Sequence, residues 1–403
     1  MGAFIVTFVA TPFIARIFTP DDFGVVALFI TMATLIGQLV PLAYHNAIVI
    51  PKDDAVAFAL LRLSLAISFA LSSGLFLVAL IINSNDFLHA YVEQLSDWLL
   101  LVPLAGLMIA CSSVYECWLT RKKYFLASSQ ATFSQAFVTS GGRISLGALY
   151  GASVWGLILP YLLGVLLRMV LLIRAGWQRT SGTRENVSLA GVSREYYEFP
   201  LFNLPAAFLR TLSDALPVLV LAHFFGASIA GLYAMADRLI NMPISMGAMS
   251  VRRVYLQRAA AIKHRGGDLL HSYQRVTAYL MLLSLAPLAL LMLTSEDMMR
   301  LFLGEKWGQA GAYAEILAPL LYIVLVSRPA TALVDLLRKQ RLWLKLQTAI
   351  TLLRVFLMLA AWQLYGAVDA VLWGFVIGAG IPYIWLMIYI HRLVKVKMQH
   401  QVS

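Results

Sequence analysis

Five arginines interrupt long apolar stretches of this 403-residue chain: Arg143, Arg210, Arg238, Arg328 and Arg354. Glu116, Asp214, Asp237, Glu315 and Asp335 lie in similar surroundings. A charge at the centre of a membrane-spanning helix costs about 2.5 to 3.5 kcal/mol on insertion scales, so such groups face a bundle interior or a water-filled cavity. The chemistry open to them is electrostatic. A guanidinium grips a carboxylate or phosphate through paired N–H donors, and a carboxylate carries a proton or a sodium ion. At 1.5 Å per residue, Arg210, Arg238 and Arg354 sit roughly 14 to 18 Å into a hydrocarbon layer about 30 Å thick, close to its midplane. Arg143 and Arg328 lie near opposite faces, where long side chains snorkel. Arg210 and Asp214, four residues apart, share a helix face and can neutralise each other, whereas Asp237 and Arg238 are adjacent and diverge. Arg354 has no acid in its own span, which makes it the foremost candidate for holding an anionic group such as a diphosphate. The alternative is an interhelical pair with Asp214, Asp237 or Asp335, because buried ions are usually compensated within the protein. Asp214, Asp237, Glu315 and Asp335 are also the candidates for carrying H+ or Na+ as a coupling ion.

A second polar feature is the segment LASSQATFSQAFVTSGGR, with Ser128, Ser129, Gln130, Ser134, Gln135, Ser140 and Arg143 inside one predicted span. Small-residue helix packing with interhelical hydrogen bonds accounts for it. So does the wall of a hydrated cavity in which Gln130 and Gln135 accept sugar hydroxyls. Covalent chemistry has little support. Cys111 and Cys117 lie six apart in one predicted helix, too distant to bridge. The seven histidines lack ligand spacing, and no phosphate loop or nucleophile elbow occurs. No metal, no cofactor and no catalytic residue is expected.

The elements that must position these residues are membrane helices. The chain is 61% hydrophobic and 13% charged, against roughly 25% charge in soluble domains. Apolar windows fall near 2 to 18, 23 to 44, 63 to 82, 97 to 119, 126 to 150, 153 to 173, 201 to 224, 228 to 250, 276 to 294, 311 to 334, 342 to 366 and 370 to 391, which makes twelve spans. Even-numbered connections and the C-terminal tail hold 23 of the 31 basic residues, including Arg121, Lys122 and Lys123, then Arg252, Arg253, Arg258, Lys263, Arg265 and Arg275. Arg168 and Arg174 are assigned to the lip of the connection that also holds Arg179 and Arg184, and Arg338 belongs to a later one. The opposite side holds Arg16, Arg300 and Lys306, so both termini are expected in the cytoplasm. The net charge of +11 thus reports topology, and nucleic acid is not an expected partner. The longer outer connections, near 83 to 96 and 294 to 310, contain few groups suited to catalysis.

The polar stretch from Ala175 to Glu198 divides the chain into an N-terminal lobe, 1 to 174, and a C-terminal lobe, 199 to 392, followed by a tail, 393 to 403. An internal repeat supports this division. IFTPDDFGVVAL aligns with FFGASIAGLYAM, pairing Phe18 with Phe225, Gly24 with Gly231 and Ala27 with Ala234 at an offset of 207; later, Gln130 pairs with Gln347 and LYGA recurs at 149 and 364. A shift of six spans preserves orientation, so the fold expected is an all-α membrane protein with two parallel six-helix lobes around a central cavity, a transporter architecture. Eleven of the fourteen prolines fall within predicted spans, among them Pro12, Pro41, Pro103, Pro205 and Pro329, where each permits a kink.

Several strings carry a resemblance: ARIFTPDDFGVVALF, NAIVIPKDDAVA, WLTRKKYF and, across spans seven and eight, YYEFPLFNLPAAFLRTLSDALPVLVLAHFFGASIAGLYAMADRLINMPISM. They resemble the polysaccharide-export branch of the multidrug/oligosaccharidyl-lipid/polysaccharide exporter superfamily, the bacterial O-antigen and exopolysaccharide flippases. The resemblance implies a V of two six-helix lobes that flips an undecaprenyl-diphosphate-linked oligosaccharide across the inner membrane by alternating access. It also implies a cavity lined by cations, in agreement with the arginines above, and a monomer that works beside the polysaccharide polymerase machinery in the bilayer. Relative to that family, the first span begins almost at Met1, short of the usual leading residues. Two rivals follow from the same residues. A drug or small-cation exporter would have an acidic or apolar cavity, and a polymerase or acyltransferase would carry catalytic groups in its outer loops.

Overall fold

The computed structural model describes residues 2–85, 98–178, 187–265, 267–337 and 339–402, all of them helical or in short connections, with no strand among them. Arg179, Arg184, Arg338 and most of the expected outer connection at 83 to 96 lie outside the described residues. The N-terminal helices are α1 (Gly2–Ile17), α2 (Pro20–Leu39), the short α3 (Tyr44–Ala47), α4 (Asp54–Asn83), α5 (Leu101–Arg121), α6 (Phe125–Tyr150), α7 (Val154–Trp177) and the short α8 (Leu189–Glu195). A π-helical turn, Phe199–Asn203, leads into α9 (Leu204–Phe225), followed by α10 (Ala227–His264), α11 (Leu269–Leu303), α12 (Gly308–Val326), α13 (Arg328–Leu336), α14 (Gln340–Tyr365) and α15 (Val368–Val402).

Each of the twelve apolar windows falls mainly on helix, and nine helical stretches among the described residues are long and apolar enough to cross a membrane. The other three windows fall short for separate reasons. Helix α1 has only 16 residues, α6 carries the serine and glutamine run, and α10 has Asp237, Arg238 and Asn241 within its apolar half. The expected outer loop near 294 to 310 is instead helical as far as Leu303. There Gly304, at φ +106°, ends α11 in a conformation closed to L side chains, and a single 3-10 turn, Glu305–Trp307, leads directly into α12.

Prolines punctuate these helices as much as they bend them. Pro12, Pro160, Pro217, Pro243, Pro287, Pro319 and Pro382 lie inside helices. Pro41 instead follows the end of α2, in a turn where Leu42 and Ala43 take left-handed φ values of 46° and 58°. Pro103 and Pro205 sit in first turns, where a missing N–H costs nothing. Pro329 cannot donate to the carbonyl of Leu325, and the tenth span accordingly breaks at Ser327 into α12 and α13. The TPDD string is a helix start. The Thr19 hydroxyl accepts from the Asp22 amide at 3.2 Å, and Asp22 Oδ2 accepts from the Thr19 amide at 2.9 Å, a capping box with Pro20 at the first position.

Packing divides the chain into two compact units, Met1–Gly231 and Leu232–Ser403. In the first, α1 packs on α6, α2 on α5 and α9, α4 on α5, and α6 on α7; in the second, α11 packs on α12, α14 on α15, and α12 on α15. The glycines aligned by the internal repeat meet within the first unit. A Cβ on Gly24 would stand 1.7 Å from the carbonyl oxygen of Ala227, and one on Gly231 would stand 1.9 Å from that of Pro20. Backbone therefore lies on backbone where α2 crosses the start of α10.

The strings NAIVIPKDDAVA and WLTRKKYF also find a physical role. Arg121, at the end of α5, donates from Nη1 to the carbonyls of Ile48 (3.2 Å) and Pro51 (2.5 Å), from Nη2 to that of Lys52 (3.2 Å), and from Nε to Asp54 Oδ1 (2.9 Å). Lys122 completes the clamp, 2.5 Å from Asp54 Oδ2 and 5.0 Å from the centroid of the Trp118 ring. Helix α8 docks beside it through buried Val192, with Tyr44 Oη donating to the Ser193 carbonyl at 3.2 Å. The Arg121 side chain is only 10% exposed, and losing its charge-assisted bonds should cost about 2 kcal/mol. Arg121→Ala is therefore expected to lower the thermal midpoint of the purified protein and to open the chain to trypsin at Lys52. Arg121→Lys should not rescue it, because an ammonium lacks the fork that reaches several carbonyls at once.

Candidate functional site

Each unit holds its own polar centre. In the first, Arg168 on α7 donates from Nη2 to Glu116 Oε1 on α5 at 2.5 Å, and from Nη1 to Gln135 Oε1 on α6 at 3.4 Å. Arg168, expected at the lip of a connection, turns to these two partners, and helix α7 runs on past it to Trp177. Arg143, expected to snorkel, is enclosed instead. It is 3% exposed, and its Nε donates to the Leu157 carbonyl at 3.1 Å.

The reason lies in the seam between α6 and α7. A Cβ on Gly164 would stand 2.2 Å from Thr139 Oγ1, and one on Gly142 would stand 2.8 Å from Pro160 Cβ, so the helices are in near backbone contact and long side chains are trapped between them. Gln135 and Thr139 belong to this seam, whereas Ser129 and Gln130 lie on the exposed side of α6. The polar segment thus splits into a packing face and an open face. On α9, Arg210 and Asp214 are both exposed and share one side of the helix.

In the second unit, the inward face of α14 carries Gln347, Thr351 and Arg354 at helical spacing, all buried. Arg354, 6% exposed, places its guanidinium carbon 4.1 Å from the centroid of the Phe375 ring on α15, a cation–π contact. Two glycines allow this approach: a Cβ on Gly374 would stand 2.7 Å from the Leu357 carbonyl oxygen, and one on Gly378 would stand 2.8 Å from Arg354 Cα. Gln347, Thr351, Phe375 and the glycine pair are additions to the residues found by inspecting charge alone. The spacing of four between Gly374 and Gly378 is the one sequence feature that marks this close approach.

The remaining candidates of this unit are dispersed. Arg328 opens α13 beyond the proline break; it is half-buried, and its Nε is enclosed without a hydrogen-bond partner among the described residues. Asp335, on the same short helix, forms an ion pair with Arg252 of α10, so a cation already compensates it. Glu315 Oε1 accepts from the buried Ser295 hydroxyl at 3.3 Å, and Asp237 Oδ1 accepts from Asn241 at 3.3 Å. Arg238, next to Asp237, is half-buried on α10. Among the described residues no three metal-ligating side chains cluster. What these centres can do is hold an anion on guanidinium groups and bind a small cation on carboxylates.

The sequence profile of a family described as "Polysaccharide biosynthesis protein" matches residues 13–312. The succinoglycan biosynthesis transport protein ExoT of Rhizobium meliloti is 24% identical over 331 residues, covering 79% of this chain and 63% of that protein. The chain thus spans less than two thirds of that relative's length. The teichuronic acid biosynthesis protein TuaB of Bacillus subtilis is 22% identical over 370 residues, covering 89% of this chain and 74% of its own. Among solved structures, the lipid II flippase MurJ in an inward closed conformation superposes with a TM-score of 0.76 at 12% identity, over 98% of this chain and 89% of that one. At that identity the likeness shows the fold, a two-lobe arrangement of membrane helices.

Proposed function

Because the chain belongs to the polysaccharide biosynthesis protein family, we propose that this multi-pass membrane protein translocates a lipid-linked oligosaccharide, carried on undecaprenyl diphosphate, from the cytoplasmic to the outer leaflet of the inner membrane. The observation that carries this reading is the state of Arg328. Its Nε is buried and unmatched among the described residues, while Asp335, seven residues on, is already engaged by Arg252. A buried donor without an acceptor costs free energy, more when the group is charged, and a diphosphate oxygen supplies what is missing. Arg354, Arg143, Arg238 and Arg210 extend the positive character through both lobes, 1 to 174 and 199 to 392. The lobes alternate access without covalent chemistry. The candidates for coupling to H+ or Na+ are Asp214, Asp237, Glu315 and Asp335, of which Asp335 is engaged by Arg252. Both termini lie in the cytoplasm by the placement of basic residues, and the polymerase that consumes the product works on the opposite side.

The test is translocation in proteoliposomes loaded with a fluorescent undecaprenyl-diphosphate oligosaccharide and probed from outside with a membrane-impermeant quencher. The wild-type chain should speed exposure of the label at least tenfold over protein-free vesicles, and Arg328→Gln should remove most of that gain at unchanged protein content. Export of a cationic dye with no lipid translocation would replace this reading by that of a drug exporter.

A further inference from the structure

The second unit carries a groove unrelated to its arginine centre. It lies between α10 and α11, has a volume of about 390 Å³, and is lined by Val251, Val254, Tyr255, Val276, Leu280 and Leu283, with Arg258 at one end. Tyr255 forms the floor, 2% exposed, whereas Val254 and Leu283 are open on the rims, 67% and 75% exposed. Both helices are far longer than a bilayer core needs. Their 38 and 35 residues correspond to about 57 and 52 Å against a core of about 30 Å. The apolar part of α11 begins near Val276, so the groove runs from the hydrocarbon into the headgroup layer.

The segment that carries the groove is basic. Arg253, Arg258, Lys263, Arg265 and Arg275 are all exposed, and between 250 and 283 the only acid is Asp268. Asp268 is occupied in capping α11, where its carboxylate accepts from the His271 amide at 2.9 Å. The Arg275 guanidinium lies over the Tyr279 ring at 5.7 Å, which holds it at the groove's edge. Basic pockets between membrane helices, at the level of the headgroups, are places where anionic lipids bind, and 390 Å³ falls in the range of small-molecule sites.

The geometry points to this groove as a binding site for an anionic phospholipid, with one acyl chain along Val251, Val254, Leu280 and Leu283 and the phosphate at Arg258 and Arg275. An apolar floor alone would accept any lipid; the uncompensated arginines select the charged one. The site is independent of transport and requires only that this end of α10 and α11 lie at a membrane face.

Native mass spectrometry of the purified full chain, with phosphatidylglycerol or phosphatidylcholine added at equal concentration, tests the assignment. Phosphatidylglycerol should be retained at least fivefold better, and both Val254→Trp, which fills the groove from an exposed rim, and Arg258→Ala with Arg275→Ala should reduce its retention at least fivefold. Leu293→Trp, exposed on the same helix outside the groove, should leave it unchanged, and thermal midpoints report whether each variant is folded. Equal retention of the two lipids, or wild-type retention by folded Val254→Trp, overturns the assignment. So does displacement of phosphatidylglycerol by equimolar undecaprenyl phosphate, which would give the groove to a polyprenyl chain instead.

Discussion

Gly231→Val removes most of the folded protein from the membrane, and Gly24→Val does the same. A Cβ at Gly231 would lie 1.9 Å from the Pro20 carbonyl oxygen and 2.7 Å from the Gly24 amide nitrogen, both backbone atoms that no rotamer change can move aside. Relief requires α2 and α10 to separate along the crossing. Overpacking a well-filled site costs roughly 1 to 3 kcal/mol, and more when backbone must move, a large share of the marginal stability of any fold. The two substitutions strike one crossing, so the double variant should be less than additive. Fluorescence-detected size exclusion of the solubilised protein reads the loss. Gly74→Ala is the control: a Cβ there meets nothing within 4 Å, and a mid-helix glycine replaced by alanine gains about 0.5 to 1 kcal/mol. If Gly231→Val gave a monodisperse protein of wild-type yield, the close crossing would be refuted.

The second large effect is expected at Arg354. Charge-assisted hydrogen bonds contribute roughly 1.5 to 3 kcal/mol, so Arg354→Ala should slow translocation of the lipid-linked oligosaccharide by about 10- to 100-fold per folded molecule. Arg354→Lys keeps the charge but loses both the planar fork and the stacking on Phe375, and should recover only part of the rate. Phe375→Leu removes the ring on which the guanidinium rests and should cost less, in line with a cation–π contribution of about 0.5 to 2 kcal/mol. Thermal stability must be read alongside. A protein that lost its midpoint while each surviving molecule still translocated normally would assign Arg354 to interhelical compensation, the alternative that its charge left open from the start.

These two positions differ in how they could be found. The internal repeat pairs Gly24 with Gly231, but pairing in a repeat does not say that the two residues touch; that depends on how the helices are placed. Arg354 stood out because an unbalanced charge in an apolar run is costly wherever it points. Its partners on α14 and α15 did not stand out, since glutamine, threonine, phenylalanine and glycine carry no such penalty. The partner of Arg168 is hidden for a related reason. Hydropathy marks a charge near the end of an apolar run but not the neighbouring helix it faces, and only the packing of α5 against α7 brings Glu116 to it.

Hydropathy, the distribution of lysine and arginine, and the repeat were sufficient for the helical membrane class and the approximate span count, because the bilayer imposes one-dimensional requirements on length and polarity; the family was legible only in specific strings such as TPDDFG and WLTRKKYF. The helix starts at Thr19 and the stops at Gly304 and Pro329 are equally local. Tertiary structure alone decided which side of α6 packs against α7, that Asp335 is engaged by Arg252 while Arg328 Nε is left enclosed, and that α10 and α11 part into a groove. Each of these depends on the rotation of one helix against another, which no window along a single helix contains; for α6 and α7 it is Gly142 and Gly164 that set it.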